Sequence, residues 1–216
     1  VLGIFDGKYA FKGPATLQID LTDHCNNNCI ACWGNSPLLS QERLNQPKYT
    51  LPTELIKKLI SDANQMGTRE IFFSGGGEPF MHPHLLEIVD YAKKLGLSCS
   101  INTNFTLVNE EIIQKLIESQ LDYLTVSVWA GTPQTYEATH PNKSEDEFQR
   151  IREMLLYLNT HKKTCPYVKI YNVICNLNYR EIRAMLDFAR QTQTDFVEFT
   201  VVDTIPGATD KIILSR

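Results

Sequence analysis

Three cysteines stand close together in the stretch "DHCNNNCIACW", Asp23 to Trp33: Cys25, Cys29 and Cys32, separated by three residues and then by two. Thiolates this close can hold a metal, but the usual set of four ligands is one short. A structural zinc takes four protein ligands, often as two close pairs, and only one cluster exists here. His24 adjoins Cys25 and is awkward for the same ion, while His161, Cys165 and Cys175 lie late in the chain. An iron–sulfur cluster suits the arrangement better, since thiolates are its usual ligands. Three cysteines would hold three irons of a four-iron cluster and leave the fourth iron open for something else.

A second motif is "SGGGEP", Ser74 to Pro79. Each glycine costs about 0.5–1 kcal/mol in regular structure relative to alanine, so a triple run needs a reason. Close approach of a ligand to the backbone is one, and Glu78 adds a carboxylate that could accept from an ammonium group. A tight turn is the plain alternative. The Gly-Lys-Ser/Thr ending of a phosphate loop is absent.

Both motifs follow apolar, strand-like runs. Strands are expected at 16–22, 69–74, 98–104, 123–130, 167–175 and 196–202, with helices near 51–66, 83–95, 109–119, 145–160 and 178–192. This βα rhythm signals an α/β fold with a parallel sheet. Gly67 and Gly96 sit where helices end in a left-handed residue. Ser144 with Glu147 reads as a capping box, Pro83 as a first helical turn, and Asn109 and Asn178 as N-caps. The cysteines occupy a loop running to about residue 50, far longer than an ordinary βα connection. Residues 1–15 are expected to pack on one end of a domain spanning 16–216. Six strands fall short of the eight of a closed barrel, so we expect a partial barrel, open on one side, and favour a piece of a longer protein.

Alternation inside the strands points the same way. Leu124, Val126 and Val128 oppose Thr125, Ser127 and Trp129. Leu17, Ile19 and Leu21 oppose Gln18, Asp20 and Thr22, and Cys99 and Ile101 oppose Ser100, Asn102 and Asn104. Val197, Phe199 and Val201 likewise oppose Glu198 and Thr200. Ordinary parallel barrels fill their interior with branched apolar side chains. A polar interior implies a wet or ligand-filled cavity, unless this is an edge-exposed sheet face. Cys99, on the apolar face, reads as a small buried hydrophobe.

The chain has 216 residues, is 43% hydrophobic and carries a net charge of −4 with no basic block. Nucleic-acid binding is not indicated. No apolar run approaches the ~20 residues of a membrane span, and the sparse cysteines do not form a disulfide framework. A cytoplasmic protein is expected.

With both motifs at the ends of adjacent strands, the sequence resembles the radical S-adenosylmethionine (radical SAM) superfamily. The likeness is carried by Cys25-x3-Cys29-x2-Cys32, by Gly75-Gly76-Gly77-Glu78-Pro79 and by the six βα-type strands. It implies a partial (β/α)6 TIM-like barrel in which Cys25, Cys29 and Cys32 hold a 4Fe-4S cluster whose open iron is chelated by S-adenosylmethionine. Gly75, Gly76, Gly77 and Glu78 would then serve the methionyl group, with Asn104 and Ser127 also on the cofactor. Asn172 or Asn176, and Glu198 or Thr200, are weaker candidates for the adenosine or substrate side. The implied activity is reductive, oxidoreductase-type cleavage of S-adenosylmethionine to a 5′-deoxyadenosyl radical that abstracts hydrogen from a substrate. The pattern is closest to the SPASM/twitch-type branch, with a C-terminal extension, auxiliary clusters and peptide or protein substrates. A small-molecule substrate is also compatible, and flavodoxin or ferredoxin would be the reductant. Two positions depart from the pattern. Ala31 stands where an aromatic often precedes the third cysteine, with Trp33 after it, and Phe105 replaces a glycine in "TNF". The segment "AGTPQTYEATHP" after strand four offers no arginine, and its His140 reads as a surface residue at a helix start or as a ligand contact. His82 and His84 read as solvent-facing caps beside Pro83, and His161 as a helix C-terminal residue. A zinc-stabilised binding barrel and a cluster-binding relative without turnover are the competing readings.

Overall fold

The computed structural model describes residues 5–8 and 12–214. Six parallel strands, β1 (Thr16–Asp20), β2 (Glu70–Ser74), β3 (Ser98–Thr103), β4 (Tyr123–Ser127), β5 (Tyr167–Ile174) and β6 (Phe196–Val201), form one sheet in sequence order. Successive strands pair directly, as in Thr16 opposite Glu70 and Ser127 opposite Tyr171. This is the expected α/β partial barrel, unclosed between β1 and β6. Among the described residues seven helices connect or follow the strands: α1 (Gln41–Leu44), α2 (Thr53–Gln65), α3 (Leu85–Lys94), α4 (Glu110–Glu118), α5 (Pro133–Thr139), α6 (Glu145–His161) and α7 (Ile182–Gln191).

The alternating pattern sorts the faces. Leu124, Val126, Ile101 and Ile71 are buried against the helices, joined by Ile56, Ile88, Ile113 and Leu155 from α2, α3, α4 and α6. Cys99 lies in the same core, its thiol pushed up to about 12 by burial. The opposite face is polar and lines the interior. On that face, Glu70 accepts from Thr16 and Ser100 at 3.0 and 2.8 Å, and Lys169 pairs with Glu198 at 2.7 Å. At the edge strand β6 the outer face is less well covered, and Val201 is 64% exposed.

Several local expectations hold for their stated reasons. Gly67 and Gly96 are left-handed, at φ 89° and 78°, behind α2 and α3. Asn109 caps α4, accepting from the Ile112 N–H at 2.9 Å. His161 ends α6, its Nδ1 bonded to the Tyr157 carbonyl at 2.8 Å.

Others are corrected. Ser144 occupies the N-cap of α6 but its hydroxyl accepts nothing there, so no capping box forms. Pro83 lies before α3, outside its first turn. Asn178 stands at the N-cap of the short 3-10 turn Tyr179–Glu181, but its side chain does not cap it. Its Oδ1 accepts from the Cys175 N–H and its Nδ2 donates to the Trp129 and Val173 carbonyls, each at 2.8 Å, so it clamps the exits of β4 and β5 together. His82 is buried, with Nε2 on the Leu51 carbonyl at 3.0 Å and Nδ1 accepting from the His84 N–H, which assigns its proton to Nε2. His84 is exposed and faces Glu87. Helix α5 was not expected, although Thr132 caps it and Pro133 opens it.

Residues 1–4 and 9–11 of the N-terminal segment lie outside the described residues. Where it enters the fold, the Gly13 N–H donates to the Met66 carbonyl at 3.2 Å and Pro14 accepts from Thr68 at 2.8 Å.

Candidate functional site

The long loop between β1 and α2 is closed at its neck. Leu51 donates to Leu21 at 2.9 Å and Asp23 to Tyr49 at 2.8 Å through backbone groups, and the Thr22 and Thr50 hydroxyls meet at 2.8 Å. Within the loop, backbone N–H groups point at sulfur: Asn27 toward Cys25 at 3.4 Å and Asn35 toward Cys32 at 3.2 Å. Its outer side is pinned to the α5–α6 region. Ile30 donates to the Thr139 carbonyl at 2.9 Å, and Asn28 and Asn142 exchange backbone-to-side-chain bonds at 3.0 Å each way. Asn142 and Thr139 were not singled out from sequence, since nothing local marks them.

The glycine run exists because β2 exits against β1 and the cysteine loop. A Cβ on Gly75, which has φ 141°, would meet Asp20 at 2.8 Å. One on Gly76 would meet Asp23 Oδ1 at 2.8 Å, and one on Gly77 would meet the Thr22 carbonyl at 2.6 Å and the His24 carbonyl closer still. Glu78 then donates its N–H to His24 at 2.8 Å. Its carboxylate accepts from the Thr103 hydroxyl at 2.6 Å and from the Asn104 and Phe80 N–H groups at 2.7 and 3.2 Å. Burial pushes this carboxyl up to about 7, against the pull of those hydrogen bonds. Asn104 joins the network, its Nδ2 reaching Asn26 Oδ1 at 2.9 Å and lying 3.9 Å from Cys25 Sγ. The next residue, Phe105, is left-handed at φ 63° and buried, which explains why a glycine would suit this position.

These groups meet at one cavity of about 450 Å³ at the C-terminal ends of the strands. Its wall includes Cys25, Cys29 and Cys32, Gly75 to Glu78, Asn104 and Ser127, so the cysteine and glycine motifs are brought together with Asn104 and Ser127. Ala31, Trp33 and Trp129 add an apolar side, and Tyr171 and Thr200 line it from β5 and β6. Three expectations fail here. Asn172 faces the helices, fully buried with neither amide atom bonded. Asn176 holds the Lys211 carbonyl at 2.7 Å instead of the cavity. His140 is neither a surface residue nor at a helix start: it follows α5, is 1% exposed and stacks on Tyr136 at 4.3 Å.

Among the described residues, no three His, Cys, Asp or Glu side chains are arranged around one ion position. The three thiols alone are one ligand short of the tetrahedral set of a structural zinc. A larger polynuclear group fits better, and the buried polar atoms agree. Both amide atoms of Asn27 and the Tyr136 hydroxyl are buried with no hydrogen-bond partner beside Cys29. Orphaned groups of this kind cost about 1–3 kcal/mol each, and a cluster bearing sulfides and thiolates would offer them acceptors. Burial and the neighbouring cysteines push the Cys29 thiol up, as burial does for Cys25; iron would be needed to draw off those protons.

Comparison with known proteins agrees with this geometry. The family model described as the radical SAM superfamily matches residues 19–189. A probable GTP 3′,8-cyclase of Thermococcus kodakarensis is 31% identical over 186 residues, 85% of this chain and 56% of that protein. The Fe-coproporphyrin III synthase of Methanosarcina barkeri is 37% identical over 117 residues, 54% of this chain and 27% of that protein. Among solved structures, Streptococcus suis SuiB bound to S-adenosylmethionine superposes with a TM-score of 0.75 at 18% identity, over 95% of this chain and 44% of that one. The chain belongs to the radical SAM superfamily, whose members use a 4Fe-4S cluster and S-adenosylmethionine. It spans about half the length of the curated relatives matched over most of this chain, the cyclase among them.

Proposed function

We propose that the domain formed by residues 16–216 binds a 4Fe-4S cluster through Cys25, Cys29 and Cys32 and uses it to cleave S-adenosylmethionine reductively. The observation that carries this reading is the convergence of the three thiols, the glycine run and Ser127 on one cavity. Bound there, the cluster would supply the electron for reductive cleavage of the S-adenosylmethionine sulfonium, and so the radical chemistry for hydrogen abstraction from a substrate. The chain's own groups hold the cofactor. The Gly75–Gly77 backbone offers close approach for the methionyl part, Glu78 Oε2 keeps a lone pair for the ammonium, and Asn104 and Ser127 frame the remainder. Trp33 and Trp129 replace the missing aromatic before the third cysteine as apolar cover.

The substrate we favour is a peptide or protein segment. SuiB has been solved with its precursor peptide SuiA, and the open side of the barrel leaves room for a chain. Among the described residues no lysine or arginine lines the cavity, whose charged groups are Glu78 and Asp203. A triphosphate such as that of GTP finds no counter-charge on this wall. A small reduced protein of the flavodoxin or ferredoxin type would be the donor, in the reducing cytoplasm. No described helix is long and apolar enough to cross a membrane.

The test is anaerobic reconstitution with iron and sulfide, then S-adenosylmethionine and dithionite, with 5′-deoxyadenosine quantified. Formation above that of a Cys25/Cys29/Cys32 triple-alanine variant is expected. Cluster assembly without 5′-deoxyadenosine favours a cluster-binding relative without turnover, and zinc uptake in place of iron overturns the reading.

A further inference from the structure

Tyr136 has no place in the reading so far, and its surroundings are unusual. It lies in α5, 0% exposed, between the stacked His140 ring and Phe148, whose ring centroid is 5.6 Å away. A tyrosine so deeply buried normally finds a partner for its hydroxyl, yet this one has none. Asn27, 3% exposed, sits between Cys25 and Cys29, and neither its amide nitrogen nor its amide oxygen makes a hydrogen bond. The two side chains are neighbours of each other and of Cys29. Asn27 faces both the Tyr136 hydroxyl and the Cys29 thiol, at contacts that fall short of hydrogen-bond geometry. Asn27 is held in place by its own N–H on Cys25 Sγ, while Tyr136 is fixed because its helix is capped at Thr132 and docks on the cysteine loop through Thr139 and Ile30.

We propose that Tyr136 and Asn27 are hydrogen-bond donors to the sulfur of the cluster site, kept unpartnered in the metal-free chain so that the loaded cluster is their acceptor and its reduction potential is raised by them. This rests on the cluster-binding reading above. The physics is that of any donor to thiolate or sulfide: it stabilises the more negative, reduced cluster more than the oxidised one. The same asymmetry predicts opposite effects in the two states of the protein. Without metal, removing an orphaned hydroxyl leaves no partner behind and relieves a desolvation cost; with the cluster bound, it removes a bond.

The experiment compares Tyr136→Phe, Asn27→Leu and their combination with the parent chain. It measures thermal melting without metal and the cluster midpoint potential by electron paramagnetic resonance titration after anaerobic reconstitution. Expected for Tyr136→Phe is an unchanged or higher melting temperature without metal. At a fixed potential, its reduced-to-oxidised ratio should fall by about tenfold, equivalent to ~59 mV for a one-electron couple. Asn27→Leu should shift the potential the same way, and the double variant further than either. A potential equal to the parent's in all variants overturns the proposal, as does a clear drop in melting temperature of metal-free Tyr136→Phe. Failure of the parent chain to take up iron and sulfide instead overturns the cluster-binding reading itself, so the two failures are distinguishable.

Discussion

His140 makes the stability of the metal-free chain depend on pH in a direction that can be worked out. Burial, with Lys143 adding to it, pushes the imidazole down to about 4 from 6.5, against a hydrogen bond to the Tyr136 carbonyl. A histidine depressed in the folded state contributes stability that is present above pH 6.5 and is lost as pH falls through the folded value, because the unfolded chain takes up the proton first. The full difference is about 3 kcal/mol, of which about 2 kcal/mol is lost between pH 7 and pH 5. Glu78 acts in the opposite sense. Its carboxyl is raised from 4.5 to about 7, so its contribution is greatest below pH 4.5 and is lost as pH rises through 7. Between pH 7 and pH 5 it restores about 2 kcal/mol, and on these two groups the parent chain should show little net change. Variants separate them. His140→Gln loses the stack on Tyr136 and is less stable than the parent at pH 7, but its deficit should shrink by about 2 kcal/mol at pH 5. Glu78→Gln should change the other way. Urea unfolding of the metal-free proteins at pH 7 and 5, at one ionic strength and with equal m-values, measures both. A His140→Gln deficit that is the same at both pH values would refute the reasoning, since it would mean that the buried ring keeps its ordinary proton affinity.

Gly77→Ala should abolish cluster loading and destabilise the chain by about 1–3 kcal/mol or more, because the new methyl faces the Thr22 and His24 carbonyls, which are backbone and cannot turn aside; iron content after reconstitution and urea unfolding read the two effects. Asn178→Leu should cost about 3 kcal/mol or more, since it orphans the Cys175 N–H and strips a donor from the Trp129 and Val173 carbonyls; urea unfolding checks this. Hydrogen exchange at the β4 and β5 exits should rise in the same variant, and unchanged protection there would show that the clamp is not what holds those ends.

The strands and the cysteine and glycine motifs were legible because each is carried by residues close in the chain. Alternation such as Leu124, Thr125, Val126, Ser127 states which face is covered before any contact is known, and the structure covers that face. What escaped depends on partners far away in sequence. Asn172 breaks the pattern: a polar residue at a position facing the helices is invisible to a rule that assigns polar residues to the cavity. Asn178 looks like a helix cap in sequence because caps and clamps use the same amide; which one it becomes is decided by the β4 and β5 carbonyls that reach it. His82 was read by its neighbour Pro83 and His140 by its place after strand four, whereas their burial is set by the Leu51 carbonyl and the Tyr136 ring. Helix α5 has only seven residues, too short for a hydrophobic period to emerge, although its Thr-Pro opening was there to be read. That helix matters beyond its length. It carries Thr139 onto the cysteine loop and buries Tyr136 behind it. The metal-ligating half of the site is therefore written locally, in spacing, and its supporting half only in the packing of a short helix against that loop.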